Sequence, residues 1–220
     1  MKLILDSADA VEIKRLSEIL SVWGVTTNPS IIAREKKDFA EIIEQLQAVM
    51  KPEQMLFIQV MAHDHKAMVE EGRYISTLRK NIAVKIPVSA EGLKAIKQLH
   101  DENIRVLATA IMNADQGFMA ALNGADYLAP YVNRMNEHGD GIAETLALQK
   151  LLDVHQLPCE IVAASLKTKQ QVRALLMGGI SAVTIPPQLA ESLYQDEHTD
   201  EAIRRFDEAW YQQFKRKTLI

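Results

Sequence analysis

A single cysteine, Cys159, stands among 220 residues, so the chain forms no internal disulfide, and no Cys/His group has structural-zinc spacing. Positive charge is not in excess either. The 25 Lys and Arg face 29 Asp and Glu, a net charge of −4, and no basic run occurs. That balance argues against a nucleic-acid partner, whose affinity rests on cations at phosphates. No apolar run approaches the roughly 18 residues of a membrane span, and Met1–Ser7 passes into a polar, acidic segment instead of a signal-peptide core. The expectation is a cytoplasmic protein with no membrane partner. The sequence lacks a G-x-S-x-G elbow, a P-loop and an H-E-x-x-H pair, which disfavours a serine hydrolase, a P-loop nucleotide enzyme and a zincin. His63-Asp64-His65 falls at a predicted helix start with no third ligand in view and reads as solvated loop.

What is present is an alternation of short apolar runs with longer amphipathic ones. The strand candidates are Leu3–Asp6, Val22–Thr26, Leu56–Val60, Ile82–Pro87, Arg105–Ala110, Asp126–Tyr131, Glu160–Ser165 and Ser181–Ile185. Helical spacing follows each, as in Phe39, Ile42, Ile43, Leu46 and Val49, and Thr168 with Gln171 has the spacing of a capping box. Eight Val/Ile/Leu-rich strands, each followed by a helix, predict a parallel sheet buried on both faces. A closed (β/α)8 TIM barrel over 1–220 as one domain is the economical arrangement. A doubly wound open sheet is the rival, but it normally carries a Gly-rich loop after its first strand, and here Asp6 is followed by Ser7-Ala8-Asp9-Ala10. An additional C-terminal helix is predicted at about 198–216, with Ile203, Phe206, Trp210 and Phe214 on one stripe. Two expectations stand for that stripe: packing across the barrel's own helices, or a contact with another subunit.

In such a barrel the chemistry lies at the C-terminal strand ends. Polar residues fall at seven of them: Asp6, Thr26 with Asn28, Gln59, Lys85, Thr109, Tyr131 and Ser165. Lys85 interrupts the apolar run Ile82-Ala83-Val84-Lys85-Ile86-Pro87-Val88. Alternation puts Ala83, Lys85 and Pro87 on one face and Val84 and Ile86 on the other, so if the larger pair packs beneath the helices the lysine points into the barrel. Burial disfavours the ammonium, and the free amine is the state an imine-forming nucleophile needs. From the strand alone, a lysine snorkelling outward or paired with Asp6 is an equal alternative.

Four segments together carry a pattern: Gly24-Val25-Thr26-Thr27-Asn28-Pro29-Ser30, Val84-Lys85-Ile86-Pro87-Val88, Ala129-Pro130-Tyr131-Val132-Asn133-Arg134 and Ala163-Ala164-Ser165-Leu166-Lys167-Thr168. They resemble the transaldolase family, and within it the small fructose-6-phosphate aldolase branch. The resemblance implies a class I aldolase with no metal or other cofactor, in which Lys85 forms a Schiff base with a ketose. It implies that Asp6 handles a hydroxyl proton or orients the lysine, that Tyr131, Gln59 and Thr109 hold a proton-relaying water, and that Thr26 and Asn28 grip substrate hydroxyls. Arg134 and Ser165 would hold a phosphate. Transaldolases similar to this chain carry a glutamate at the position of Gln59 and a phenylalanine at that of Tyr131. The chain departs from the family pattern at Ala108, Ile111-Met112 and Met135. Partners implied are sugar phosphates and further copies of the chain, as a decamer. Two other functions remain: transfer of a dihydroxyacetone unit between sugar phosphates, and non-catalytic sugar-phosphate binding.

Overall fold

Alternating side chains divide each strand between two cores, and this division closes the sheet. The computed structural model describes residues 1–220. Its strands are β1 (Lys2–Asp6), β2 (Val22–Thr26), β3 (Met55–Gln59), β4 (Ile82–Pro87), β5 (Val106–Ile111), β6 (Tyr127–Pro130), β7 (Glu160–Ala163) and β8 (Ala182–Ile185), all parallel and paired in sequence order. Pairing of β1 with β8 makes a closed barrel and rules out the open-sheet rival. Leu5, Val84, Ile86, Leu128 and Val183 belong to a layer between barrel and helices, whereas Ile4, Phe57, Ala83, Leu107 and Val162 fill the interior. Trp23, Phe57 and Tyr127 meet at centroid distances of 5.4 to 6.3 Å and form an aromatic floor at the N-terminal end.

Helices α1 (Ala10–Ile19), α3 (Phe39–Val49), α4 (His65–Thr77), α5 (Ala90–Asp101), α6 (Ala114–Leu122), α8 (Gly141–His155), α9 (Lys169–Met177) and α10 (Pro187–Ser192) surround the strands. Side-chain caps start most of them: Asp9, Asp38, Asp64, Ser89 and Asn113 each accept a first-turn N–H. Asp64 of the His-Asp-His segment is therefore a helix cap. The capping box of Thr168 and Gln171 is present at α9. Two short helices at the barrel mouth, α2 (Pro29–Arg34) and α7 (Val132–Met135), lack the length for a periodic signal and were not expected.

Three departures from simple alternation shape the mouth. Leu3 pairs with Val22 but Ile4 with Gly24, so Trp23 is an extra residue, a β-bulge. The bulge reverses the parity of β2: Trp23 faces the floor, yet Thr26, three residues on, also faces inward. Gly24 is required there, because a Cβ would lie 2.5 Å from the Met55 carbonyl oxygen. At β5 the register with β6 shifts between Ala108 and Ile111, where Ala110 has φ +58°. At β7 the expected strand end is overtaken by Ser165 at φ +59°. Left-handed backbone at a non-glycine costs about 1–2 kcal/mol, and such strain concentrates at functional sites.

The C-terminal helix α11 (Glu197–Phe214) forms as expected, but it does not pack across its own barrel. None of its residues is buried, and Ile203, Phe206 and Phe214 are 51%, 72% and 50% exposed. Its stripe is satisfied only internally, where Trp210 and Phe214 stack at 4.3 Å. No helix is long and apolar enough to cross a membrane.

Candidate active site

The C-terminal mouth encloses a cavity of about 530 Å³. Its wall includes Asp6 from β1, Thr26 from β2, Gln59 from β3, Lys85 from β4 and Tyr131 after β6. Asn28 and Ser165 contribute from the loops beyond β2 and β7, and Arg134 from α7. Thr109 is fully buried behind this wall and touches it through Tyr131, its hydroxyl donating to the phenol oxygen at 3.2 Å. All nine residues singled out in the sequence thus converge on one place.

Lys85 is 4% exposed and points inward, with Ala83 in the interior layer and Val84 and Ile86 outside, so the snorkelling alternative does not hold. Burial lowers its pKa from the ordinary lysine value, and the negative charge of Asp6 opposes that shift. The two form no ion pair. Lys85 Nζ instead donates to the backbone carbonyl of Thr27 at 2.6 Å, which fixes the amine without supplying a charge to keep it protonated. The carboxylate of Asp6 is held on its own side: Thr26 Oγ1 donates to Asp6 Oδ1 at 2.7 Å and contacts Thr184 Oγ1 at 2.6 Å. A carboxylate only accepts, so the single Thr26 proton goes to Asp6, and Thr184 donates to Thr26. A chain of two hydroxyls thereby orients Asp6 and draws it away from a bond with the lysine. Chemically, a partly neutral amine beside an ionisable carboxylate and a phenol is equipped to add to a carbonyl and to move protons around the adduct.

The segment Thr26-Thr27-Asn28-Pro29 has a physical reason at each position. Thr26 faces the cavity; Thr27 Oγ1 donates to the Phe57 carbonyl at 3.0 Å and its own carbonyl receives Lys85. Asn28 Oδ1 caps α2 by accepting from Ile31 N at 3.0 Å, which leaves its amide hydrogens free for a ligand, and Pro29 takes the first helical position. Arg134 is exposed, its guanidinium carbon 5.0 Å from the Tyr131 ring centre, so the phenol ring supports it over the mouth.

Several participants carried no sequence signal of their own. The Thr27 carbonyl is backbone, which residue type does not announce. Thr184 was legible in principle, as a polar residue on the inward parity of Ala182-Val183-Thr184-Ile185. Arg34 and Lys167 line the rim and add two positive charges to that of Arg134. The departures from the family pattern lie off the cavity: Ala108, Ile111 and Met135 belong to the layer under the helices, and Met112 is exposed.

The family model described as transaldolase/fructose-6-phosphate aldolase matches residues 3–219. Among solved structures, a flavocytochrome b2 double mutant with pyruvate bound superposes with a TM-score of 0.62 at 14% identity, covering 92% of this chain and 61% of that one. The 3,6-anhydro-D-galactonate cycloisomerase from Zobellia galactanivorans gives 0.58 at 14% identity, with 84% of this chain and 52% of that one covered. A mandelate oxidase mutant with an FMN monooxide adduct gives 0.58 at 11%, covering 85% and 64%. The chain spans less than two thirds of each of these proteins, and the likeness is one of barrel fold alone.

Proposed function

This chain belongs to the transaldolase/fructose-6-phosphate aldolase family, and on that premise we propose that it is a class I aldolase reversibly cleaving fructose 6-phosphate to dihydroxyacetone and glyceraldehyde 3-phosphate. The observation that carries the reading is Lys85: a buried amine of lowered pKa, held by the Thr27 carbonyl inside the mouth cavity. The amine adds to the ketose C2 carbonyl, and loss of water leaves a protonated imine. Asp6 takes the C4 hydroxyl proton, the C3–C4 bond breaks, and its electron pair moves into the imine to give an enamine as glyceraldehyde 3-phosphate departs. Protonation at C3 restores the imine; water then attacks its carbon, releasing dihydroxyacetone and the free lysine. The water lost in the first step returns in the last, so substrate and products balance.

Water delivery distinguishes an aldolase from a transferase. Tyr131, oriented by Thr109, can donate through its hydroxyl to a water that protonates the enamine at C3, and Gln59 presents a neutral amide to the same cavity. The transferase alternative keeps the enamine on Lys85 until a second sugar phosphate collects it. The phenol favours the aldolase. In this reading Thr26 and the free amide hydrogens of Asn28 bind substrate hydroxyls, and Arg134 with Ser165 takes the phosphate, a charge-assisted contact. The exposed stripe of α11 suits a subunit contact in a homo-oligomer, and the half-buried free thiol of Cys159, its pKa pushed up to about 12 by desolvation, suits a cytoplasmic setting.

Borohydride reduction in the presence of dihydroxyacetone tests the nucleophile. A mass increase on the peptide containing Lys85 is the expected result. No adduct, with dihydroxyacetone still bound, would make the protein a non-catalytic binder.

A further inference from the structure

The phosphate grip rests on two separate segments, the short helix α7 after β6 carrying Arg134 and the loop after β7 carrying Ser165. The first is a single helical turn, the second has left-handed backbone at Ser165, and Arg134 is exposed, so something must fix their spacing. The backbone supplies one kind of link, Val132 N to the Ala164 carbonyl at 3.0 Å and Asn133 N to the Ser165 carbonyl at 3.2 Å. A second comes from Gln171 on α9, whose side chain is only 9% exposed. Its Oε1 accepts from Lys167 N at 2.8 Å and Thr168 N at 3.3 Å, and its Nε2 donates to Asn133 Oδ1 at 3.2 Å. Neighbouring loops have simpler clamps: Glu71 takes the N–H groups of Met61 and Ala62, and Gln116 that of Met112. Gln171 holds its own loop and the adjacent α7 at once, using both ends of its amide.

We infer that Gln171, through Asn133, is a positioning residue that sets the distance between Arg134 and the Ser165 loop and so confers preference for phosphorylated over unphosphorylated aldehydes. A helix cap needs only the acceptor end of residue 171. The donor end, aimed at the residue beside Arg134, is what the capping box leaves unexplained. Asn133 is half-buried and takes no part in that cap, so its side chain can be removed without opening α9.

The inference rests on the aldolase reading, and its test separates the two. Addition of dihydroxyacetone to glyceraldehyde 3-phosphate and to glyceraldehyde is measured for wild type, Asn133→Ala, Gln171→Met and the double variant. Binding of glycerol 3-phosphate to the same proteins is measured by calorimetry. Expected is a KM for glyceraldehyde 3-phosphate raised roughly three- to tenfold in each single variant, the size of one lost hydrogen bond. The glyceraldehyde KM and kcat should hold. Glycerol 3-phosphate should weaken in parallel, and the double variant should be no worse than Gln171→Met, because both changes cut the same link. Equal losses on both aldehydes, additive losses, or unchanged phosphate affinity in Asn133→Ala would overturn the inference. Should Gln171→Met not fold, Asn133→Ala decides alone. A wild type that adds to neither aldehyde would refute the aldolase reading, while the calorimetric comparison would still judge the role of Gln171.

Discussion

Replacing Tyr131 by phenylalanine removes one oxygen and acts on two quantities at once. The Thr109 hydroxyl is fully buried and donates to that oxygen at 3.2 Å, long for a hydroxyl pair. Losing its partner should cost about 1 kcal/mol, the low end for an orphaned buried donor, or roughly 2–4 °C in Tm for a chain of this size. The catalytic effect should be much larger, because the phenol is the proposed proton donor to the water that protonates the enamine at C3. Positioned proton transfer contributes about 10²–10⁴-fold, so cleavage of fructose 6-phosphate without an acceptor should fall at least ~100-fold, about 2.7 kcal/mol of barrier. Transfer to erythrose 4-phosphate captures the enamine with an aldehyde in place of that proton and should be spared, since hydrolysis of the product imine is common to both reactions. The assay follows free dihydroxyacetone and sedoheptulose 7-phosphate in parallel reactions. Thr109→Val is the companion, since it keeps the phenol and loosens only its orientation; less than about a tenfold loss is expected there. Equal loss of both reactions in Tyr131→Phe, or loss of neither, would refute the proposed water path.

Lys85→Met should abolish cleavage and borohydride trapping; continued trapping would move the nucleophile elsewhere. Its stability effect has a defined pH dependence. Burial lowers the folded-state pKa, so below the ordinary lysine value the unfolded chain binds more protons, and wild-type stability should rise relative to Lys85→Met as pH climbs toward about 10.5. A pH-independent difference between their denaturation midpoints would contradict the lowered pKa. Trapping with dihydroxyacetone should slow as pH falls, because the amine must be unprotonated to add. Arg134→Ala should raise KM for phosphorylated substrates about tenfold or more and leave unphosphorylated analogues nearly unchanged; parallel losses would place the phosphate elsewhere. If the α11 stripe is a subunit contact, truncation before Glu201 should lower the sedimentation coefficient by weakening assembly; a change no larger than the lost mass requires would leave the stripe without that role.

Inward-facing residues were legible where strands alternate regularly. Lys85 on β4 is the clearest case: alternation set it opposite Val84 and Ile86, and the packing of that pair under the helices decided between an inward and an outward lysine. The same alternation misplaces residues wherever a bulge intervenes, and the bulges at Trp23 and Ala110 depend on strand register, a non-local property. Thr109 and Tyr131 were singled out, yet their hydrogen bond joins residues 22 apart and had no sequence signal. The role of the Thr27 carbonyl is likewise a matter of where a backbone passes. For α11, periodicity showed an apolar stripe but not its partner; only the exposed side chains rule out the chain's own barrel.

The most direct measurement gives the protein fructose 6-phosphate alone. With no acceptor aldehyde added, the account predicts sustained, stoichiometric release of dihydroxyacetone and glyceraldehyde 3-phosphate over many turnovers. A burst of glyceraldehyde 3-phosphate limited to one equivalent per subunit, resuming only when erythrose 4-phosphate is supplied, would contradict it and make the protein a transaldolase.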